Sequence, residues 1–247
     1  MGQNRLSFSQ YFIDTSGDFN HTGNARYQIH YTSVPYEYKG KKIDANYEMH
    51  YEEDRHTIQI NFEATNGKLD WFANLMFVSK YYDTFIYGDK KITLRVHNGW
   101  AAMYKAMKHQ IRDRLKVLLL AHPEAQIEVI GWSLGSGQAQ LCAQDIFYNF
   151  GRKVFLYTYG SVNPFKTNIF NRRKIKKYLN ECCLSVYNFS NVNDIVTYLP
   201  PRLIFGFIKI KRCPVGKPFA FWKLFHPGVY HTTYDDDTLY EKYYKEQ

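Results

Sequence analysis

The sequence predicts an α/β fold in which a mostly parallel central sheet is flanked by helices and preceded by a β-rich N-terminal segment. Two observations indicate this fold. Polar and apolar residues alternate, as they do in strands, over much of residues 26–62. From about residue 95 to 190, short apolar runs then alternate with segments of helical period, the order of elements expected for a parallel sheet. We find no linker or internal repeat, so we expect a single domain over residues 1–247.

The N-terminal segment contains three predicted strands. Alternation of aromatic or aliphatic residues with polar ones predicts strands from residue 26 to 31 and from residue 43 to 51. A third strand is predicted over residues 57–62. Turns are expected at residues 39–42, where a glycine lies among lysines, and at Glu53-Asp54.

The remainder of the chain contains the alternating elements. We predict helices over residues 99–121, 134–150 and 171–179, and strands over residues 126–131, 154–159 and 184–189. Pro123 ends the first of these helices. Residues 70–77 form a separate short segment that is amphipathic and strongly apolar.

Composition limits the classes of protein that fit. The net charge of +9 is compatible with an anionic partner, but we find no nucleic-acid-binding module, so nucleic-acid binding is not expected. The four cysteines form no CxxC pair and two are adjacent, which argues against a zinc site and for reduced thiols. No signal peptide, spanning segment or complete myristoylation motif is visible. We therefore expect a soluble protein, and the thiols favour a cytoplasmic setting.

Gly131-Trp132-Ser133-Leu134-Gly135 is the segment that first points to chemistry. A strand is predicted before it and a helix after it, which is the setting of a G-x-S-x-G nucleophile elbow. The glycines leave room for a strained turn at the serine. Backbone N–H groups at the helix N-terminus, that of Leu134 first, point toward a developing oxyanion. The bare pattern arises by chance in about one chain in ten of this length, so the flanking elements carry the interpretation.

A serine nucleophile of this kind needs an acid and then a histidine later in the chain. Asp194 follows the strand predicted over residues 184–189, in a loop at the carboxyl end of that strand, where such folds present functional groups. Among the histidines, only His226 and His231 follow Asp194. The residues alone leave both histidines open, and each candidate also has an ordinary interpretation as a loop residue.

Four segments, in the same order, give the chain a resemblance to the class 3 lipases, the fungal-lipase-like family of α/β-hydrolases. Residues 62–71, FEATNGKLDW, are similar to the family's FRG[ST] strand end with DW a few residues later. Residues 96–100, VHNGW, resemble VHxGF, and residues 130–136, IGWSLGS, resemble TGHSLGG. Residues 157–161, YTYGS, extend this match. Residues 192–201, VNDIVTYLPP, resemble NxxDxVPxLPP. The resemblance covers roughly residues 55–240.

The resemblance implies a catalytic triad. Ser133 is the implied nucleophile and Asp194 the implied acid. His231 is preferred over His226 as the general base, because His231-Thr232-Thr233-Tyr234 fits the HxxY context of the family's catalytic histidine.

The resemblance also implies an oxyanion hole and a lid. The hydroxyl and N–H of Thr65 and the N–H of Leu134 are implied to hold the oxyanion. Residues 70–77 are implied to form a lid, although a buried core helix is the plainer interpretation of their apolar character. The residues expected to contact substrate are Trp71, Phe72, Leu75, Met76 and Trp132.

Four departures from the family pattern make this a divergent member. Trp132 replaces the usual histidine before the nucleophile, and Ser136 replaces the second glycine after it. Glu63-Ala64 replaces Arg-Gly before Thr65, at the start of the implied oxyanion loop. Val162-Asn163 replaces Pro-Arg after the YTYGS segment. None of these changes removes an implied catalytic group.

The function implied is hydrolysis of the acyl esters of lipids, either acylglycerols or phospholipids, through an acyl-enzyme and without metal or cofactor. The alternative is a catalytically silent lipase-like protein that binds lipid or a partner. Basic clusters at residues 172–177 and 209–212 fit transient contact with an anionic membrane surface, but ordinary solvated surface is the plainer interpretation. Asp235-Asp236-Asp237 lacks the spacing of a calcium loop and is interpreted as a solvated turn or helix start.

Overall fold

The computed structural model describes residues 31–63, 79–88, 90–201, 206–208, 210, 212–220, 222, 230, 231 and 233–244. The strands are β1 (Thr32–Tyr38), β2 (Lys41–Glu52), β3 (Thr57–Phe62), β4 (Ser79–Tyr87), β5 (Lys90–His97), β6 (Gln126–Trp132), β7 (Val154–Tyr159), β8 (Phe165–Lys166), β9 (Cys183–Asn191) and β10 (Cys213–Val215). The helices are α1 (Asn98–Ala121), α2 (Leu134–Phe150), α3 (Arg172–Glu181) and the short α4 (Glu241–Tyr244).

The described residues form a seven-stranded main sheet in the order β1-β2-β3-β6-β7-β9-β10. Strands β3, β6, β7, β9 and β10 are parallel, and β1 and β2 continue the sheet as antiparallel neighbours at one edge. The predicted mostly parallel sheet with a β-rich N-terminal segment is therefore confirmed. The strand predicted from residue 26 lies almost entirely outside the described residues, and β1 begins directly after it.

Each face of the main sheet has its own core. Successive strand residues point to opposite faces, so Val129 joins the core beneath α1 and α2 while Ile130 joins an aromatic cluster on the other face. Tyr157, Tyr159 and Phe189 belong to this second cluster, together with C-terminal residues such as Tyr234 and Tyr240. The C-terminal segment is thereby held against the face of the sheet.

A second sheet of three strands, β4-β5-β8, is antiparallel. This sheet was not predicted from the sequence, although Ile92, Leu94 and Val96 alternate in burial with exposed neighbours along β5. This sheet leads into α1, where the Nδ1 atom of His97 accepts a hydrogen bond from the N–H of Gly99 at 3.2 Å.

Helix α1 is tied to the start of α2 through one tryptophan. The indole N–H of Trp100 donates to the carbonyl of Leu134 at 3.1 Å. Gly137 allows this approach, because a Cβ atom there would lie 2.4 Å from the indole nitrogen. The junction between β6 and α2 is therefore fixed from the side of α1.

Candidate active site

Ser133 occupies a sharp turn between β6 and α2. Its backbone has φ 53° and ψ −119°, a left-handed conformation that is unfavourable for a residue with a side chain. Two glycines make the turn possible. A Cβ atom at Gly131 would lie 2.3 Å from the carbonyl oxygen of Gly135, and one at Gly135 would lie 2.4 Å from that of Phe62. The sequence predicted this requirement for small flanking residues.

The structure joins Ser133, His231 and Asp194 by hydrogen bonds. The Oγ atom of Ser133 lies 2.7 Å from Nε2 of His231, and Nδ1 of His231 lies 2.8 Å from Oδ2 of Asp194. Asp194 is fully buried, and the His231 side chain is 15% exposed. The imidazole is thus within hydrogen-bond reach of the hydroxyl and is oriented by a carboxylate, a geometry that can activate a serine hydroxyl.

Asp194 lies just beyond β9 and is held by more than the histidine. Its Oδ1 atom accepts the N–H of Val196 at 2.9 Å, and its Oδ2 atom also accepts the hydroxyl of Tyr234 at 2.9 Å. That hydroxyl accepts the N–H of Asn191 at 2.8 Å. Burial, together with the charge of Asp194, raises the pKa of Tyr234 well above its usual value of 10, so the phenol stays protonated and remains a donor.

Tyr234 is a site residue for which the sequence predicts no role. It is the final residue of the HTTY segment that favours His231, but that segment does not reveal its contact with Asp194. The 40 residues between Tyr234 and Asp194 explain this, because sequence spacing carries no information about a contact between distant segments.

His231 is confined on two sides. The ring of Trp132 stacks on it with centroids 5.7 Å apart and planes inclined by 25°. A Cβ atom at Gly160, where φ is +56°, would lie 2.9 Å from Cε1 of His231. The family's usual histidine before the nucleophile is thus replaced here by a larger ring that packs against the imidazole.

Ser136, the second departure, ties the turn to the loop after β7. Its hydroxyl donates to the carbonyl of Ser133 and accepts the N–H of Val162 at 3.1 Å. Gln140 strengthens the same link, since its amide donates to the hydroxyl of Ser161 at 3.0 Å and to the carbonyl of Val162 at 3.1 Å. A glycine at position 136 lacks the hydroxyl that makes this bridge.

Asn163 belongs to the Val162-Asn163 pair that departs from the family pattern. It connects the loop after β7 to residues 192–201, here called the acid loop because they include Asp194. Its backbone N–H donates to the carbonyl of Leu199 at 2.9 Å, and its side-chain amide donates to the same carbonyl and to that of Pro200. The acid loop and the β7 loop therefore form one hydrogen-bonded unit around His231.

Arg212 contacts the acid loop through Thr197 and Tyr198. Its guanidinium donates to the hydroxyl of Thr197 at 2.8 Å and lies over the ring of Tyr198 at 4.5 Å. Burial lowers the pKa of this guanidinium below its usual value. The interpretation of residues 209–212 as solvated surface is therefore wrong for Arg212, because the acid loop takes up its side chain; Lys209 and Lys211 lie outside the described residues.

Several predicted site residues fall where the structure gives no description. These are Thr65, the lid residues Trp71, Phe72, Leu75 and Met76, and the alternative base His226. Leu134 is described, and its N–H lies at the first position of α2, next to Ser133. The four cysteines are buried thiols. Asp236 accepts the N–H of Thr238 at 3.0 Å at the start of a short 3-10 helix, as predicted for a helix start.

The described residues contain no cluster of three or more histidine, cysteine or carboxylate side chains placed to hold a metal ion. None of the helices within the described ranges is both long enough and apolar enough to cross a membrane.

The mostly parallel sheet, the serine on a tight strand-to-helix turn, and the acid and histidine on later loops define the α/β-hydrolase fold. The family Lipase (class 3) matches residues 59–204, which is more than half of the sequence. The chain belongs to the class 3 lipase family.

Individual relatives agree with this assignment. The lipase of Rhizomucor miehei is 28% identical over 156 residues, which cover 62% of this chain and 39% of the relative. The solved structure of the triacylglyceride lipase from the same organism has a TM-score of 0.60 at 24% identity, covering 70% of this chain and 63% of that one. A lipase from Rhizopus microsporus var. chinensis has a TM-score of 0.59 at 20% identity, covering 76% and 62%. The chain thus spans well under half of the curated relative.

Proposed function

We propose that this chain hydrolyses carboxylic esters of lipids, acylglycerols or phospholipids, through an acyl-enzyme on Ser133. The observation that carries the proposal is the hydrogen-bonded series from Ser133 Oγ through His231 to Asp194, with distances of 2.7 and 2.8 Å. A hydroxyl within reach of an oriented imidazole is suited to nucleophilic attack on an acyl carbonyl. Solved relatives include one described as a triacylglycerol lipase whose catalytic centre is a serine protease triad.

The proposed mechanism has two half-reactions. His231 removes the proton of Ser133 as Oγ attacks the ester carbonyl, and Asp194 stabilises the imidazolium that forms. The oxyanion accepts hydrogen bonds from the N–H of Leu134 and, by family resemblance, from Thr65. His231 then returns its proton to the leaving alcohol. Water, deprotonated by His231, attacks the acyl-enzyme; the acyl–Oγ bond breaks, the fatty acid leaves, and His231 returns the proton to Oγ of Ser133.

A serine-reactive fluorophosphonate probe tests this mechanism. We expect it to label the wild-type chain and to fail with Ser133→Ala, whereas Ser185→Ala, a control at a serine on β9 outside the site, should be labelled normally. Equal labelling of Ser133→Ala contradicts the mechanism. Absence of labelling in the wild type favours the silent, lipid-binding alternative.

We infer the substrate class from two apolar features. The apolar segment 70–77, proposed as a lid, and the ring of Trp132 suit an acyl chain more than a small ester. We expect a panel of nitrophenyl esters, assayed together with a phospholipid, to show higher activity on long acyl chains. We also expect activity to rise once the substrate aggregates, because a lid opens on lipid. Flat activity across the aggregation point contradicts the lid assignment.

A further inference from the structure

Two large apolar side chains stand almost fully exposed on one turn. Ile169 is 81% exposed and Phe170 is 89% exposed, in the connection between β8 and α3. The turn is ordered by a hydrogen bond from the N–H of Asn171 to the side-chain oxygen of Asn168 at 2.8 Å. Single exposed apolar residues are common, but two neighbours presented on an ordered turn form a contiguous apolar feature that indicates a contact surface.

Cations follow this apolar turn along α3. The helix carries five lysines and arginines and one glutamate within its ten residues. Ile175, Tyr178 and Leu179 are buried against the protein, which turns the charged face outward. Its exposed cations are Arg173, Lys174, Lys176 and Lys177.

Three of these cations also border a shallow cavity of about 530 Å³. Lys153, Arg173, Lys176 and Lys177 line it, with Glu181 as the carboxylate among the lining residues. Glu181 lies 3.8 Å from Lys177, so it offsets one of these charges and leaves the others to attract an anion. The cavity is therefore complementary to an anionic group.

The apolar turn lies toward the end of the main sheet that carries the candidate site. Strands β7 and β9 are parallel neighbours, so the chain between them leaves at the carboxyl edge and returns to the amino edge. Helix α3 makes that return, and residues 169 and 170 precede it. The same connection begins at Gly160, which packs against His231.

We infer that Ile169, Phe170 and the cationic face of α3, here called the docking surface, bind an anionic phospholipid layer. The apolar pair inserts among the acyl chains while the lysines and arginines contact lipid phosphates, the combination by which proteins bind membrane interfaces. A nucleic acid offers phosphates but no apolar layer for Phe170. The inference rests on the proposed function for its purpose, since docking here delivers the site to lipid substrate.

Vesicle co-sedimentation tests the inference without turnover. The full chain carrying Ser133→Ala is mixed with phosphatidylcholine vesicles that either contain or lack phosphatidylglycerol. We expect binding to require phosphatidylglycerol. Ile169→Ser/Phe170→Ser and Arg173→Gln/Lys176→Gln/Lys177→Gln should each weaken binding by about tenfold or more, because each removes one of the two contributions.

Matched controls distinguish binding by this surface from non-specific hydrophobic binding and from the effect of net charge. Val117→Ser/Leu120→Ser removes another exposed apolar pair, 65% and 75% exposed, from α1. Lys41→Gln/Lys42→Gln/Lys116→Gln removes three exposed cations elsewhere. Both should bind as the parent does. The inference is overturned if a control variant weakens binding as much as its counterpart, or if binding does not require phosphatidylglycerol. It is also overturned if the Ile169→Ser/Phe170→Ser variant binds normally and only the charge variant loses binding, as expected for a nucleic-acid site. Because Ser133 is already replaced, failure here is distinct from failure of the fluorophosphonate test.

Discussion

The carboxylate of Asp194 is fully buried, and it accepts hydrogen bonds from three donors. His231, Tyr234 and the N–H of Val196 all reach it at 2.8 to 2.9 Å. A buried charge requires such partners, because the protein must replace the hydration that the group has lost. Tyr234 therefore supplies one of these partners and fixes the oxygen that faces the imidazole.

Replacing Tyr234 by phenylalanine tests this role. Loss of one hydrogen bond to a charged group is worth about 1.5–3 kcal/mol, so we expect kcat/KM on a nitrophenyl ester to fall by tenfold or more. Tyr178→Phe is the matched control, because that hydroxyl is also buried and accepts a hydrogen bond from Gln144 at 3.0 Å, away from the site. An unchanged kcat/KM in Tyr234→Phe refutes the positioning role.

For single residues, the sequence indicated the three members of the predicted triad but not the residues that hold them in place. The G-x-S-x-G segment marked Ser133, and a loop after a predicted strand marked Asp194, because both depend on local chain geometry. The HxxY context selected His231, and the structure brings that histidine to the other two. Tyr234 and Arg212 act across contacts between distant segments, which spacing does not encode.

Among the elements, the turn after β7 sets the position of the imidazole. Gly160 combines a left-handed φ of +56° with close approach to His231, where a Cβ atom would lie 2.9 Å from Cε1. A side chain at this position is therefore both strained and in collision with the ring.

Gly160→Ala is expected to displace His231 and to lower kcat by about a hundredfold, because misplacement of a reacting group by roughly 1 Å has that effect. Gly151→Ala is the control. It has a similar φ of +64° but no atom within 4 Å of its Cβ, so it shares the strain without the collision. We expect this control to lose about 1–2 kcal/mol of stability, measured by urea unfolding, with kcat unchanged. Equal loss of kcat in both variants contradicts the steric explanation.

Strong periodicity made most elements predictable. Helix α2 and strand β7 have the predicted bounds, and α3 runs over 172–181 where 171–179 was predicted. The hairpin of β4 and β5 was missed because tyrosines and charged residues dominate it, which obscures the alternation of buried residues on β5. Its turn at Gly88, with φ +59°, was the remaining local signal.

On the scale of the whole molecule, stability depends on a neutral buried histidine. His97 is 1% exposed and lies against Trp100, with ring centroids 4.6 Å apart. Burial, with a smaller contribution from the charge of Lys39, lowers the pKa of His97 from 6.5 to about 4. The unfolded chain therefore binds more protons than the folded one between these values, and stability falls as the pH decreases through this window.

We expect the free energy of unfolding to decrease by about 2 kcal/mol between roughly pH 7 and pH 5 on account of this group alone. His97→Asn retains a side-chain acceptor for the N–H of Gly99 but removes the titration, so it should flatten the dependence. His109→Asn, at an exposed position on α1, should leave the slope as in the wild type. Urea unfolding across this pH range measures all three chains. If the slopes of wild type and His97→Asn are equal, His97 is not the group responsible.

The fold class was predicted from the sequence, but the order of the strands and the second sheet were not. Alternation of helices and strands indicated the parallel sheet, since the crossover between parallel strands usually runs through a helix. The strand order and the separate three-stranded sheet depend on pairings such as Val96 with Phe165, which lie 69 residues apart and leave no mark in local sequence. A single domain over residues 1–247 stays a prediction.

The turn at Ser133 allows the folded fraction of this protein to be measured in solution. Its unusual backbone angles are imposed jointly by β6, by the start of α2 and by the end of β3, where Gly135 meets the carbonyl of Phe62. A chain in which any of these three has come apart relaxes the turn and loses its reactive hydroxyl geometry. If the proposed chemistry holds, the labelled fraction counts molecules with an assembled core, and the fluorophosphonate becomes a gauge of folding yield.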